Sequence, residues 1–221
     1  MSTGGRRSSV LLLRGAVRAL VALSLILAAG TAGLVLAGSR GGAAATAAPG
    51  LRAGALPERL DGAPAPRIRL PDARGRPFDS RALAGRPHLV TFLYTSCPDV
   101  CPLIGDEIAE ALRRLGPRRE RVAAVAVSVD PRGDTPEAAR RWLTLHRLPA
   151  QMHYLVGTRE QLASVWRDWY QLPAGQRRLD RETHAAAVWL VDARGRLRGR
   201  WPAGAPIDPG ALAHDLSALS R

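Results

Sequence analysis

The chain has 221 residues and a formal net charge of +13, carried by 32 arginines and no lysine against 19 acidic residues. This length suits one domain of ordinary size with appendages, and the charge raises the question of nucleic-acid binding. The arginines of the folded part occur singly or in pairs, and no basic segment is interleaved with aromatic residues. We therefore interpret the charge as a solvated arginine surface and expect no nucleic-acid partner.

A membrane segment is predicted at the N-terminus. Residues 19–38 carry no charge and follow four arginines, namely Arg6, Arg7, Arg14 and Arg18. Twenty apolar residues in a helix span a bilayer core of about 30 Å. Positive charge before the span favours an N-terminus left in the cytoplasm. Residues 1–38 are thus predicted to be a cytoplasmic N-terminus and a single-pass anchor in the cell (inner) membrane, with the C-terminal domain extracytoplasmic.

A cleaved signal peptide is the rival interpretation, because Ala43–Ala48 supplies small residues of the kind that precede a cleavage site. The apolar run is longer than a usual signal core, which favours a retained anchor. Residues 39–66 are mostly Gly, Ala and Pro, and this composition predicts a flexible tether. The folded domain is then predicted to be residues 67–221, enough for one well-filled core.

The first predicted elements of the domain lead to the cysteines. Residues 67–79 alternate around a turn at 73–75 and predict a β-hairpin. Residues 88–96 are an apolar, β-rich run that predicts a buried strand. A helix should follow from Pro102 to the stop signal at Gly116. We expect its apolar face to be formed by Leu103, Ile108, Leu112 and Leu115.

Strands and helices then alternate. Further strands are predicted at 121–130 and 152–156, and a second hairpin joins strands at 185–192 and 197–201. Helix starts are marked by N-cap residues, namely Thr135, Thr158 and Asp208. This order predicts an α/β fold with a central mixed sheet and helices on both faces. The cysteines then lie at the carboxyl edge of the sheet, where ligands usually bind.

The chain has two cysteines, Cys97 and Cys101, four residues apart in "TSCPDVCP". A structural disulfide, a redox couple and a metal site all have to be weighed. A bridge closing so small a loop would stabilise the fold little. The amides of a helix N-terminus favour the thiolate, which is both the nucleophile and the metal ligand. Outside the cytoplasm the pair is not held reduced by glutathione.

For a metal site, two thiolates are too few for structural zinc, which takes four ligands. Two soft thiolates with one imidazole suit copper, particularly Cu(I). The chain has five histidines: His88, His146, His153, His184 and His214. His184 stands out because it ends a polar loop and directly precedes an apolar strand.

Three segments together carry a resemblance to a known family: "FLYTSCPDVCP", "VAVSVDPRGDTPEAARRW" and "THAAAVWLVDARGRLRG". They resemble the Sco/SenC family of thioredoxin-fold copper proteins over nearly the whole domain, and the N-terminal anchor fits as well. The resemblance implies a thioredoxin-like fold and a copper ion bound by Cys97, Cys101 and His184. It also implies that the two cysteines form a redox-active dithiol.

The same resemblance implies a function and its partners. Family members deliver copper to, or reduce the thiols of, the dinuclear copper centre of cytochrome c oxidase. The chain is thus expected to be a metallochaperone rather than an enzyme. Its expected partners are the copper-centre subunit of that oxidase and, beyond it, other copper chaperones or thiol reductases. The sequence departs from the family at Thr183, where an Asp commonly precedes the histidine, although Glu182 stands one residue further back.

Other functions of the cysteine pair are weaker matches. A thioredoxin-type reductase would have C-x-x-C, one residue shorter than the spacing here. A peroxiredoxin would place Thr or Ser where Pro98 stands, three residues before Cys101. An extracytoplasmic thiol–disulfide oxidoreductase or redox sensor stays open, since the same two thiolates could exchange electrons.

Three aspartates near the cysteines are given other roles. We expect Asp99 to face solvent, and Asp130 and Asp134 to fix their loop by turn and cap hydrogen bonds.

Overall fold

A computed structural model describes residues 50–148, 152–169, 186–202 and 204–220. Its strands are β1 (Arg69–Pro71), β2 (Pro77–Asp79), β3 (His88–Leu93), β4 (Ala123–Ser128), β5 (Met152–Leu155), β6 (Val188–Val191) and β7 (Leu197–Trp201). Its helices are α1 (Val100–Arg114), α2 (Pro136–Leu145), α3 (Arg159–Asp168) and α4 (Pro209–Ala218), with short 3₁₀ helices at Ser80–Leu83 and Gly116–Arg121.

The central sheet has five strands in the order β5-β4-β3-β6-β7. Strands β3, β4 and β5 are parallel, whereas β6 and β7 run antiparallel to their neighbours. Strands β3 and β4 pair from His88 opposite Ala123 to Leu93 opposite Ser128. Every residue of both strands is buried, as expected for parallel strands covered on both faces. The predicted mixed sheet is confirmed.

Helices cover both faces of this sheet. Because successive side chains of a strand point to opposite faces, Leu89 and Leu93 belong to one core and Val90 and Phe92 to the other. The first core also contains buried residues of α1, α2 and α4. The second contains those of α3, together with Phe78 of the β1–β2 hairpin. The predicted two-sided arrangement is thus confirmed.

The predicted helix starts are confirmed. The Thr135 hydroxyl accepts a hydrogen bond from the Ala138 amide, Thr158 and Gln161 form a capping box, and Asp208 accepts from the Gly210 amide. Each side chain satisfies an amide that the helix itself leaves unpaired. The predicted apolar face of α1 is wrong at one position, because Leu103 is 58% exposed. Ile104, four residues before Ile108, is in phase with the helix repeat and is buried instead.

The segment predicted to be a tether differs from the structure over residues 50–66. Leu56 and Leu60 are buried in the core on the α3 side of the sheet. The backbone of the segment pairs with β7, since Arg200 N donates to the Gly54 carbonyl at 3.0 Å and Gly62 N donates to the Leu197 carbonyl at 2.8 Å. This part of the chain therefore covers an edge of the sheet that would otherwise expose unpaired backbone groups.

A buried carboxylate fixes the start of this segment. Asp215 on α4 is fully buried and accepts hydrogen bonds from the amides of Arg52 and Ala53, both at 2.8 Å.

The opposite edge of the sheet, strand β5, is covered by the turn of the β1–β2 hairpin, where Ala73 N donates to the Tyr154 carbonyl at 2.7 Å. The domain thus includes residues from 50 onward, and the tether stays a prediction for residues 39–49.

Within the described ranges, no helix combines the length and the apolar character needed to cross a membrane. The anchor predicted at residues 19–38 lies outside those ranges.

Candidate metal centre

The two cysteines lie at the connection between β3 and α1. Cys97 is in the loop after β3, and Cys101 is in the first turn of α1. The Cys101 amide donates to the Cys97 sulfur at 3.4 Å, and the Cys97 amide donates to the Tyr94 carbonyl at 3.3 Å. Both cysteines are free thiols. The four-residue spacing therefore brings the two sulfur-bearing residues together in one turn.

The pair is almost enclosed by the core. Cys97 is 8% exposed, whereas Cys101 is fully buried among the residues that α1 packs against the sheet. Asp99 between them is exposed, as expected, and its side chain caps no helix amide. Of the two sulfur-bearing residues, Cys97 is therefore the one that an ion or a partner sulfur can reach from solvent.

The two thiols differ in acidity. Burial alone would raise the pKa of Cys97, but hydrogen bonds from the Asp99 and Cys101 amides and from the Cys101 and Tyr94 side chains together lower it. For Cys101, burial raises the pKa well above the ordinary thiol value. Its hydrogen bond to Cys97 and the negative charges of Cys97 and Asp134 raise it further. Cys97 is therefore the thiol that ionises more readily.

A buried carboxylate lies behind the cysteine loop. Asp134 is 4% exposed, and one of its oxygens accepts from the amide and the hydroxyl of Thr95, both at 2.8 Å. The other oxygen accepts from the Ser128 hydroxyl at 2.5 Å and the Tyr154 hydroxyl at 3.1 Å. Asp134 therefore joins the ends of three neighbouring strands and holds the chain two residues before Cys97.

This contact was not predicted from the sequence. Asp130 does stabilise its own turn, since its carboxylate accepts from Arg132 N at 3.3 Å and its carbonyl from Asp134 N at 2.9 Å. Asp134, by contrast, reaches across to the strand that carries the cysteines. The available signal was the position of "SVDPRGDTP", which begins at the last residue of β4. Because β4 is the parallel neighbour of β3, the carboxyl ends of the two strands meet at one edge of the sheet.

We expect Asp134→Asn to lower the free energy of unfolding by about 1–3 kcal/mol, because an amide offers one acceptor oxygen where the carboxylate satisfies three hydroxyls and an amide. Burial raises the pKa of Asp134, so removing its charge recovers part of this loss. Thermal and urea unfolding measure the change. Asp168→Asn, at an exposed position on α3, is the matched control and should lie within 0.5 kcal/mol of the parent. An Asp134→Asn variant as stable as the parent would refute the assigned contact.

The predicted third ligand, His184, lies outside the described residues, as do Thr183 and Glu182. The four described histidines make other contacts. His146 meets Asp106 at 2.9 Å, and His214 meets Asp215 at 3.1 Å. Within the described ranges, no three His, Cys, Asp or Glu side chains form a group that could hold a metal ion. The ligand set Cys97, Cys101 and His184 therefore stays a prediction.

The described part of the site nevertheless fits a soft metal ion. Two sulfur donors in one turn, shielded from water by the core, suit Cu(I) at low coordination number.

The direction of strand β6 is relevant to the predicted third ligand, His184. It pairs antiparallel with β3, with Trp189 opposite Val90, so the chain enters β6 at the cysteine end of the sheet. Ala186, two residues after His184, belongs to the same core as both cysteines.

Comparison with known proteins gives one consistent result. The family model described as SCO1/SenC matches residues 62–220. Among solved structures, that of Bradyrhizobium japonicum ScoI with copper bound is similar at 31% identity and a TM-score of 0.59, covering 71% of this chain and 99% of that one. The fold is thus thioredoxin-like, as the resemblance implied.

Two curated relatives give the same result. A Stutzerimonas stutzeri protein named for copper binding is 31% identical over 147 residues, which is 65% of this chain and 71% of that one. A SCO2-like protein of Rickettsia conorii is 30% identical over 130 residues, covering 57% of this chain and 62% of that one. The chain therefore spans less than two thirds of the length of the second relative.

Proposed function

This chain belongs to the SCO1/SenC family, and we propose that it is a copper metallochaperone for the dinuclear copper centre of cytochrome c oxidase. Copper is its cargo, held by Cys97, Cys101 and His184 and passed to the copper-centre subunit of the oxidase. The family resemblance supports this role, as does the copper-bound state of the similar ScoI structure.

One observation carries the proposal: Cys97, whose thiol pKa is lowered, and the buried Cys101 lie in a single turn, with the Cys101 amide 3.4 Å from the Cys97 sulfur. A thiolate at Cys97 attracts Cu(I), and binding of the metal displaces the remaining proton from Cys101. The core around Cys101 keeps water away from the ion. Because Cys97 is the more accessible ligand, a recipient thiolate would approach there and exchange ligands stepwise.

The difference between the two thiols also supports the second candidate, reduction of the recipient's disulfide. The Cys97 thiolate would attack one sulfur of that disulfide, breaking it and forming a mixed disulfide. Cys101 would then lose its proton and attack Cys97, releasing the recipient as a dithiol and leaving a Cys97–Cys101 disulfide. Two electrons pass from this chain to the recipient. The same chemistry would serve a general thiol–disulfide oxidoreductase or a redox sensor. These two functions differ from reduction of the oxidase subunit only in the protein with which the cysteines react.

The proposed location is the outer side of the cell membrane. The uncharged run at 19–38, preceded by arginines, supports a retained single-pass anchor with the domain outside the cytoplasm. Residues 39–49 would be the tether between anchor and domain. This location places the cysteines on the side where copper proteins and thiol reductases of the cell envelope could meet them.

The test is a strain that lacks this chain, grown with limiting and with added copper. Delivery predicts that oxidase activity is lost at limiting copper and largely restored by added copper, because free metal bypasses the chaperone. Reduction predicts that added copper fails, whereas an added membrane-permeant dithiol restores activity. Normal oxidase activity at limiting copper would overturn both delivery and reduction.

The anchor is tested in the complemented strain. Full-length chain in the membrane fraction supports the anchor, and a soluble product beginning near Ala48 would refute it.

A further inference from the structure

A cavity lies at the opposite end of the sheet from the cysteines. It has a volume of about 600 Å³ and is lined in part by His88, the first residue of β3. The cysteine loop follows the other end of this six-residue strand, about 20 Å away. The cavity is thus separate from the candidate metal centre, and nothing in the proposed function uses it.

The wall of this cavity is positively charged. Arg67, Arg81 and Arg194 line it, and among the described lining residues none carries a carboxylate. Arg67 is paired with Asp79. Within the described part of the chain, the guanidinium groups of Arg81 and Arg194 make no ion pair and no hydrogen bond. Two guanidinium groups without a partner among the described residues therefore border the cavity, and the carboxylates of Asp79 and Asp192 beside it bind the backbone amides of Arg81 and Arg194.

The lining also includes a buried histidine, His88. His88 is 4% exposed, and its Nδ1 lies 3.1 Å from the Arg86 carbonyl, which can only accept. Nδ1 must therefore carry the proton, so Nε2 of the neutral ring is an acceptor. Among the described residues, Nε2 has no hydrogen-bond partner. Burial lowers the pKa of His88 and so favours the neutral ring, while the Arg86 carbonyl and Asp192 partly oppose it.

A hydroxyl adds a further donor. The Ser80 oxygen accepts a hydrogen bond from the Ile68 amide at 3.0 Å, which leaves its proton free to point into the cavity. The side chains of the lining thus offer guanidinium and hydroxyl donors together with the imidazole acceptor of His88. An anion that still carries a proton can satisfy all of them.

We propose that this cavity binds a phosphate group that retains a proton. Arg81, Arg194 and the Ser80 hydroxyl donate to phosphate oxygens, and the phosphate P–OH donates to Nε2 of His88. Bidentate recognition of phosphate oxygens is a characteristic use of arginine. Sulfate has the same shape and is fully ionised at neutral pH, so it would leave Nε2 without a donor. The phosphate could be inorganic phosphate or the monoester headgroup of an anionic lipid.

The test is titration of the full-length chain in detergent with inorganic phosphate and with sulfate, at constant ionic strength and pH 7, followed by calorimetry and by thermal shift. We expect saturable phosphate binding that is at least tenfold tighter than sulfate binding. Arg81→Gln and Arg194→Gln should each weaken phosphate binding at least tenfold. Arg167→Gln, which removes an exposed arginine outside the cavity, is the matched control and should bind as the parent does.

Three results would overturn the proposal: no saturable phosphate binding, equal weakening by Arg167→Gln, or equal affinities for phosphate and sulfate. His88→Phe should abolish the preference for phosphate over sulfate. The arginine variants stand as an independent test should this buried substitution prevent folding, because both arginines are exposed.

A second arm of the experiment separates the two phosphate sources. The full chain is reconstituted in phosphatidylcholine vesicles with added phosphatidic acid, a monoester, or with phosphatidylglycerol, a diester that lacks the P–OH group. Weaker phosphate binding in the phosphatidic acid vesicles alone would identify the lipid headgroup as a competing ligand. Equal phosphate binding in all vesicles would identify free phosphate. Either result supports the site and assigns its source.

Discussion

Replacement of both cysteines by serine is expected to abolish copper binding. The reduced parent chain should hold one copper ion, and Cys97→Ser/Cys101→Ser should hold none, because hydroxyl groups are poor ligands for Cu(I). Each single substitution should also lose the ion, since one sulfur and one imidazole leave the site a ligand short. The measurement is metal analysis after loading with Cu(I) in the presence of a competing chelator, which strips weakly bound metal.

The control is His214→Ala, which removes a half-exposed histidine on α4 and should still bind one copper ion. Copper retained by the double serine variant at the parental stoichiometry would show that the metal is held elsewhere. The two single variants add a further comparison. Because Cys97 has the lowered pKa and is the accessible thiol, the Cys101→Ser chain should react with iodoacetamide much faster than the Cys97→Ser chain.

Local sequence signals predicted most of the fold. The turn residues of the two hairpins and the caps at Thr135, Thr158 and Asp208 each act within a few residues, so they can be read from a short window. The packing of residues 50–66 could not be read in this way. Ala53 is held by Asp215, 162 residues further along the chain, and a Gly/Ala/Pro composition gives no periodic pattern that announces such a contact.

Of the candidate site, only the part that depends on spacing along the chain could be predicted from the sequence. Spacing alone brought Cys97 and Cys101 into one turn, and the resemblance supplied their expected role. The unequal acidity of the two thiols depends on burial and on donors such as the Asp99 amide, which require the folded backbone. Asp134 was likewise missed in its main contact, because its reach to Thr95 depends on β3 and β4 being neighbours in the sheet.

His184→Ala is expected to weaken copper affinity at least tenfold, since loss of one ligand from a three-ligand site should cost more than about 1.4 kcal/mol. The antiparallel pairing of β6 with β3 supports this expectation, because it brings the chain into β6 at the cysteine end of the sheet. The burial of Ala186 in the same core as the cysteines supports it further. Competition with a Cu(I) chelator measures the change, and His153→Ala, on β5 and so two strands from β3 in the sheet, is the control.

The same substitution separates delivery from reduction. Neither sulfur is touched by His184→Ala, so the dithiol should still exchange with a disulfide in vitro, where the rate depends on thiolate character and access. If the physiological task is copper delivery, a His184→Ala strain at limiting copper should lose oxidase activity while the purified chain keeps its exchange rate. If the task is reduction, the strain should keep its oxidase. Full oxidase activity in that strain, with copper affinity demonstrably reduced, would therefore move the assignment from metallochaperone to thiol reductase. Unchanged copper affinity would instead remove His184 from the ligand set and leave the two cysteines in need of another third ligand.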